Sequence, residues 1–195
     1  MKIKQINNKI PRRSAHSWQT KLLVGALIVA MLAAVAAATS TQAETYTFIS
    51  KWGAKGAEPG QFDHPYDVVL DNAEKVLFIS DTYNHRVEKF TTNGEFIGAW
   101  GSYGTGNGQF NYSMGLAVDA ADNVYVADTC NNRIQKLSPD GKFLLAFGSR
   151  GSGDGQFLWP YDVELDEAGN IYVADSGNCR IQKFTNEGVF ITNWG

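Results

Sequence analysis

The stretch that decides the fold runs from Ser80 to Phe90 and reads SDTYNHRVEKF. Two further copies follow, ADTCNNRIQKL at Ala127–Leu137 and ADSGNCRIQKF at Ala174–Phe184. An Asp, an Asn, an Arg and a Lys keep the same positions in all three copies, which are 47 residues apart. Self-similarity at such a fixed period is typical of solenoids and propellers, in which each repeat is one supersecondary unit.

Other short motifs recur at nearly the same period. Gly-Gln-Phe begins at residues 60, 108 and 155. An aromatic-Gly pair closes each unit, and one more pair precedes the first unit. The four pairs are Trp52-Gly53, Trp100-Gly101, Phe147-Gly148 and Trp194-Gly195.

Each unit contains four short apolar runs separated by turn-forming residues. In the second unit the runs are Met114–Val118, Val124–Ala127, Arg133–Leu137 and Phe143–Phe147. Val, Ile, Tyr and Phe dominate such runs, which favours strands, and Asp, Asn, Gly and Pro fill the breaks. Four strands in 47 residues is the size of a propeller blade. We therefore predict an all-β fold of four-stranded antiparallel blades over about 60–101, 108–148 and 155–195.

The residues before the first unit repeat only the end of a unit. Thr47–Gly53 matches Glu95–Gly101 in content. We predict one extra N-terminal strand there, in the fourth position of a blade. The chain would then hold three full blades plus this strand.

The repeated stretch resembles the signature of NHL repeats. Asn84-His85-Arg86-Val87, followed by Lys89-Phe90, carries the resemblance, and variants of it occupy 131–137 and 178–184. The resemblance covers about 48–195 and implies a β-propeller, which in this family usually closes with six blades. The chain would then supply a partial six-bladed propeller.

An arc of three blades leaves an apolar blade face and unpaired strand edges at each end. Two arrangements would cover them. The chain would be a fragment of a longer array, or two chains would form a homodimer that completes a six-bladed ring with two-fold symmetry. Both arrangements stay open at this point.

The first 43 residues are predicted to export or anchor the protein. Six basic residues and no acidic residue precede Glu44, and Leu22–Ala38 is a run of 17 residues without a charge. This order is typical of a secretory signal, and Thr41-Gln42-Ala43 fits a cleavage site. The apolar run also approaches the length of a membrane-spanning helix. Residues 1–43 are thus a signal peptide or an N-terminal membrane anchor helix, and residues 44–195 are secreted, periplasmic or anchored outside the cytoplasm.

The charge of the remaining chain excludes one class of partner. Residues 44–195 carry 11 basic and 20 acidic side chains, a formal net charge of -9. Nucleic-acid binding needs clustered Lys and Arg against the phosphates, so we expect no nucleic-acid partner. A protein, a glycan or a small ligand remains, and we expect membrane contact only through the N-terminal segment.

The identical residues form the pattern Asp-x-x-Asn-x-Arg around the turn between the second and third strands. Asp and Asn side chains bond to turn backbone groups, and Arg pairs with Asp. Because every unit has this set, we interpret it as structural. The residues are Asp81, Asn84, Arg86, Asp128, Asn131, Arg133, Asp175, Asn178 and Arg180.

Positions that differ between units are the better ligand candidates. Asp67 and Asp162 begin the first strands of the first and third units, where the second has Gly115. Since that strand is innermost in a propeller, the two carboxylates would suit a polar ligand or a cation such as calcium at the channel mouth. Their alternative role is to accept backbone hydrogen bonds. Trp159 is a candidate exposed contact, and His64 and Tyr112 or Ser113 occupy the comparable region of the other two units.

The sequence predicts no catalytic residue, metal site or cofactor. His64 and His85 are the histidines after residue 43, and no zinc motif surrounds them. We therefore expect a non-catalytic propeller scaffold that binds a protein or another ligand. The resemblance also implies alternatives: a fragment of a propeller enzyme, of the lyase or metal-dependent lactonase type, or of a sensor or receptor ectodomain.

Overall fold

The structure is a computed structural model that describes residues 47–195. The predicted signal or anchor segment, 1–43, lies outside the described residues. Residues 51–195 form one compact unit, and residues 47–50 belong to a separate N-terminal unit. Within 47–195, no helix combines the length and the apolar character needed to cross a bilayer.

Fourteen strands are present in the described residues, and twelve of them form three blades. The first blade contains β3 (Pro65–Leu70), β4 (Val76–Asp81), β5 (Arg86–Thr91) and β6 (Phe96–Trp100). The second contains β7 (Ser113–Val118), β8 (Val124–Asp128), β9 (Arg133–Leu137) and β10 (Phe143–Phe147). The third contains β11 (Pro160–Leu165), β12 (Ile171–Asp175), β13 (Arg180–Phe184) and β14 (Phe190–Trp194). Two short strands, β1 (Ala54–Lys55) and β2 (Gln61–Phe62), precede the blades.

Each blade is an antiparallel meander whose strands pair in chain order. The first strands meet across the blades, because β7 packs against both β3 and β11. The first strand is therefore the innermost strand, as the propeller interpretation requires. The all-β fold with four-stranded antiparallel blades is confirmed.

The core consists of the layers between blades. The second blade is buried on both sides, and every residue of β8 is buried. Val124 and Val126 pack with Phe78 toward the first blade, whereas Tyr125 and Ala127 pack with the third blade. Strand side chains alternate between the two faces, so a strand between two neighbours must be apolar at nearly every position.

Short turns define one surface of the unit. A 3₁₀ turn joins the second and third strands of each blade, at Thr82–Asn84, Thr129–Asn131 and Ser176–Asn178. The second residue before each first strand lies beside this turn, since Tyr83 N–H donates to the carbonyl of Asp63 and Cys130 N–H to that of Asn111. We call this surface, residues 63–64, 82–85, 101–112, 129–132, 148–159 and 176–179, the turn face. The hairpins between the other strands lie at the opposite end.

The predicted extra strand at 47–53 is not present, and the structure has no strand between Thr47 and Gly53. A fourth-position strand pairs with the third strand of its own blade, and the described residues contain no such partner for it. The extra strand that does form, β1, pairs in parallel with β2. This pairing recurs in the other inter-blade loops as bridges Tyr103–Phe110 and Arg150–Phe157.

The aromatic contact of the missing strand is nevertheless present. The Trp52 ring lies against Gly94 of the first blade, where a Cβ would come within 2.5 Å of Trp52 Cδ1. Trp100 lies in the same way against Gly141, and Phe147 against Gly188. The side-chain packing at the first blade therefore follows the repeat although the backbone pairing does not.

Candidate functional site

The repeated Asp lies at the centre of a hydrogen-bond network in every blade. In the second blade, Asp128 is fully buried and accepts bonds from Asn111 N–H at 2.8 Å, Asn131 Nδ2 at 2.9 Å and Arg133 Nε at 2.7 Å. Burial raises the pKa of Asp128, and these hydrogen bonds oppose that rise. Equivalent bonds to Asp81 come from Asp63, Asn84 and Arg86, and those to Asp175 come from Leu158, Asn178 and Arg180.

The same Asn and Arg side chains also hold the loop that enters the blade. Asn131 Nδ2 donates to the carbonyl of Gly104 at 2.8 Å, and Arg133 Nη2 donates to that of Gly106 at 2.7 Å. The corresponding bonds join Asn84 to Gly56, Arg86 to Ala57, Asn178 to Gly151 and Arg180 to Gly153. Polar groups engaged this fully have little capacity left for a ligand.

Asp67 and Asp162 lie on the innermost strands β3 and β11, and the carboxylates of both accept hydrogen bonds from backbone N–H groups. Asp67 accepts Val68 N–H and, across the blade boundary, Leu116 N–H, each at 2.8 Å. Asp162 accepts Val163 N–H at 3.0 Å. Gly115 of β7 lies directly against Asp162, so that a Cβ at Gly115 would come within 2.6 Å of Asp162 Cα.

These carboxylates form a small acidic group with Glu164. Burial raises the pKa of Asp162, and the charge of Asp67 raises it further. Burial also raises the pKa of Glu164, with contributions from Asp162 and then Asp67. Among residues 47–195, no three His, Cys, Asp or Glu side chains are placed to hold a metal ion. A cation at Asp67 and Asp162 stays a proposal that lacks a third ligand in this part of the chain.

The turn face carries aromatic side chains at positions where the three repeats differ. His64, Tyr112 and Trp159 occupy one equivalent position, and all three have left-handed backbone, with φ of 53°, 59° and 51°. Tyr83 stands where the later copies have Cys130 and Gly177. Tyr83, Tyr103 and Trp159 are 48%, 68% and 50% exposed.

Five of the rings on this face contact one another, and we call them the aromatic cluster: His64, Tyr83, His85, Tyr103 and Tyr112. His64 stacks on Tyr83 at 4.2 Å between ring centroids, and Tyr83 meets Tyr112 edge-on at 5.2 Å. His85 meets Tyr112 edge-on at 5.1 Å and Tyr103 at 5.0 Å. The cluster crosses the boundary between the first and second blades.

His85 fixes the cluster to the backbone. Its Nδ1 accepts the N–H of Tyr112 at 3.1 Å, and Asn132 Oδ1 accepts the N–H of Trp159 at 3.0 Å at the next boundary. Burial lowers the pKa of His85, while the charge of Asp128 opposes this effect. A neutral ring is needed here, because a protonated Nδ1 cannot accept a hydrogen bond.

A comparison with protein families identifies the family to which the repeats are similar. The NHL repeat family matches residues 110–137 and 157–184. These two segments of the chain are NHL repeats. Each matched segment begins at the Phe of Gly-Gln-Phe and ends with the third strand of its blade. The NHL signature Asp therefore lies inside both matches, at Asp128 and Asp175.

The solved structures similar to this chain include two lyases and a set of WD40 repeats. A streptogramin B lyase shares 18% identity at a TM-score of 0.51, over 65% of this chain and 39% of that chain. Virginiamycin B lyase from Staphylococcus aureus shares 12% identity at a TM-score of 0.57, over 75% of this chain and 45% of that chain. The WD40 repeats of RRP9 share 10% identity at a TM-score of 0.55, over 66% of this chain and 38% of that chain.

At these identities the likeness shows the fold alone. The chain spans less than half of the length of these relatives. No curated protein sequence matches the chain significantly.

The first repeat departs from the two that match the NHL family at one buried position. Gln135 donates Nε2–H to the carbonyl of Gln109 and to Asp128, and Gln182 does the same in the third repeat. The first repeat has Glu88 here, fully buried, and its Oε2 has no hydrogen-bond partner. Burial raises the pKa of Glu88, and the nearby Arg86 opposes that rise.

Sequence reasoning singled out Asp67, Asp162 and Trp159 but missed the aromatic cluster. Asp67 and Asp162 lie near each other, whereas Trp159 lies on the turn face of the third blade. A signal for the cluster was present in the sequence. The fourth and sixth residues of the repeated stretch differ in every copy, as Tyr/Cys/Gly and His/Asn/Cys, within an otherwise similar pattern.

Proposed function

We propose that the chain is a non-catalytic NHL-repeat scaffold that binds a partner through its turn face. One observation carries this proposal. The signature Asp, Asn and Arg side chains of all three repeats are engaged in the loop-holding network, whereas exposed aromatic residues that differ between repeats collect on the turn face. Rigid propellers hold loops in fixed positions, and function is commonly carried by such loops.

The proposal places the binding face outside the cytoplasm. Its support is the sequence of the N-terminal segment, with six basic residues before the apolar run Leu22–Ala38. Alkaline phosphatase fused after Gly195 tests it, because that enzyme requires the oxidising environment outside the cytoplasm. Phosphatase activity in intact cells is expected, and an inactive fusion found with the cytoplasmic proteins would contradict the proposal.

Photo-crosslinking from two opposite surfaces tests the binding role. A photoreactive amino acid replaces Tyr103 on the turn face or, as the matched control, Glu187 in the exposed hairpin between β13 and β14. We expect a saturable adduct in the producing cells from position 103 and none from position 187. Adducts of equal yield from both positions, or none from position 103, would contradict binding at the turn face.

An enzyme is the second candidate function. Its support is the acidic group of Asp67, Asp162 and Glu164. Burial first, and then the charge of neighbouring carboxylates, raises the pKa values of Asp162 and Glu164, as in sites that use carboxyl groups as acids. Two of the similar folds are lyases, and they share only the fold with this chain. Metal analysis of the purified protein separates the two candidates. A stoichiometric metal that is lost in Asp67→Ala/Asp162→Ala would favour the enzyme.

A further inference from the structure

The aromatic cluster has a chemistry of its own. We infer that it is a binding platform for an uncharged glycan. The inference deepens the proposed function and rests on it, since it names the class of ligand for the turn face. A pyranose ring presents an apolar C–H face surrounded by hydroxyl groups. It therefore needs flat, exposed aromatic faces beside hydrogen-bonding groups.

The rings of the cluster are held in place before any ligand arrives. Tyr83 lies between His64 and Tyr112, and Tyr103 rests on His85. Tyr83 and Tyr103 still expose 48% and 68% of their surface. A side chain that is already ordered loses little conformational entropy on binding, which favours a weakly binding ligand such as a sugar.

The backbone at these positions is costly for aromatic residues. His64, Tyr112 and Trp159 all have φ between 51° and 59°, a left-handed conformation that Gly or Asn adopts with less strain. The cross-blade bonds use only the backbone N–H of Tyr112 and Trp159, so the fold requires the conformation but not the rings. Bulky rings in a strained conformation are typical of functional surfaces.

Polar groups border the cluster at His64. Asp63 lies beside His64, with Oδ1 at 2.7 Å from its Nδ1. Both line a shallow depression of about 430 Å³ that also includes Lys55. Carboxylate, amine and phenol groups together offer the donors and acceptors that sugar hydroxyls need.

The charge of the surroundings favours an uncharged glycan over an anionic one. Residues 44–195 carry a net charge of -9, and burial lowers the pKa of His85, so this ring stays neutral at physiological pH. The net charge of the chain as a whole therefore disfavours the approach of sulfated or uronic-acid polymers.

Affinity electrophoresis of the purified protein tests the inference. The gels contain a neutral β-glucan, a neutral mannan, a neutral xylan or, as the anionic comparison, hyaluronate. We expect retardation by at least one neutral polymer and none by hyaluronate. Tyr83→Ala and Tyr103→Ala should each weaken binding about tenfold, the effect of losing one aromatic stacking contact. Tyr83→Phe keeps the ring and should bind within about twofold of the wild type.

The matched control is Leu144→Ala on the outermost strand β10, because Leu144 is 49% exposed and lies outside the cluster. It should leave retardation unchanged. Circular dichroism melting checks that each variant is folded.

The inference is overturned by retardation in hyaluronate alone, by binding that Tyr83→Ala and Tyr103→Ala leave unchanged, or by the absence of retardation in all three neutral polymers. The inference is also overturned if free choline, a cation, abolishes the retardation by a neutral polymer, since the aromatic cluster would then be a site for cations. If photo-crosslinking from position 103 gives a protease-sensitive adduct and no glycan retards the protein, the ligand is a protein. That result would overturn the glycan inference and keep the proposed function. The lack of any adduct from position 103 would overturn the proposed function itself.

Discussion

Equivalent positions in the three repeats serve as internal controls for single residues. Where the second and third repeats have Gln135 and Gln182, the side-chain amide donates to a loop carbonyl and to the signature Asp. A carboxylate cannot donate there, and Glu88 instead forms an ion pair through Oε1 with Arg86 Nη2 at 3.0 Å, so the bonds that Gln135 makes are absent. Oε2 of Glu88 is buried without a hydrogen-bond partner, and burial raises the pKa of this carboxyl group.

Glu88→Gln is expected to stabilise the protein at neutral pH. A group whose pKa is raised by folding contributes stability below its unfolded pKa and loses it as pH rises through its folded pKa. The unfolding free energy of Glu88→Gln should therefore exceed that of the wild type by about 1–3 kcal/mol at pH 7, the usual cost of one unsatisfied buried polar group, and by less near pH 4. Urea titrations at the two pH values measure this difference. The reverse change, Gln135→Glu, should destabilise the protein at pH 7, and a destabilised Glu88→Gln would refute the assignment.

His85→Asn should remove a pH dependence of opposite sign. Because burial lowers the pKa of His85, the unfolded chain binds the proton first, and stability falls as pH drops below about 6.5, the usual His value. Asn132 makes the equivalent bond at the next boundary, so Asn at position 85 should keep the bond without the titration. Unfolding free energies from pH 8 to pH 5 should therefore fall more steeply for the wild type than for His85→Asn. Parallel curves would show that His85 does not titrate with unfolding.

At the scale of single elements, local sequence predicts most strands well. The strands of the second blade begin and end within one residue of the runs of apolar residues, as at Ser113 and Asp128. Alternating β-formers and turn residues act within a few positions, so their effect is readable in one repeat. The extra strand at 47–53 was predicted from the same local pattern and failed, because a strand also needs a neighbour to pair with.

The candidate site was less predictable for a similar reason. The contact between Tyr83 and Tyr112 joins two blades, and its geometry depends on how neighbouring sheets pack. Asp67 shows the same limit, since its acceptor bond to Leu116 reaches the next blade. A repeat pattern reveals which positions differ, but the packing of blades decides which of them meet.

Gly115→Ala tests the close approach of neighbouring inner strands. A Cβ at Gly115 would come within 2.6 Å of Asp162 Cα and 2.8 Å of the Tyr161 carbonyl, both of them backbone atoms that cannot move aside cheaply. We expect a loss of about 2–4 kcal/mol in unfolding free energy, in the range of severe overpacking. Gly98→Ala on β6 is the matched control, because a Cβ there meets nothing within 4 Å. Equal losses in the two variants would contradict the role of Gly115.

At the scale of the whole molecule, the two end blades each expose apolar side chains. Tyr66, Val68 and Leu70 are exposed on the first blade, and Ile181 and Trp194 on the third. The homodimer proposed from the sequence would cover such faces. In a junction built like the internal ones, Trp194 of a second copy would reach Gly94, which Trp52 already contacts.

Trp52→Ala is therefore expected to strengthen association between copies. Removing the ring exposes Gly94 to an incoming Trp194, so light scattering over a concentration series should show a larger dimer fraction than in the wild type. Adding Trp194→Ala to the same variant should reverse the gain. A variant that associates no more than the wild type would contradict ring closure through these faces.

The central claim is that the exposed aromatic residues of the turn face serve binding and that the fold does not need them. The most direct test is the unfolding free energy of the triple variant His64→Asn/Tyr83→Ser/Trp159→Asn. This variant removes three exposed rings and relieves the strained left-handed backbone at positions 64 and 159. The account predicts a free energy within about 1 kcal/mol of the wild type or higher, as for functional residues that are costly to stability. A loss of more than about 2 kcal/mol, the size expected for structural contacts, would contradict it.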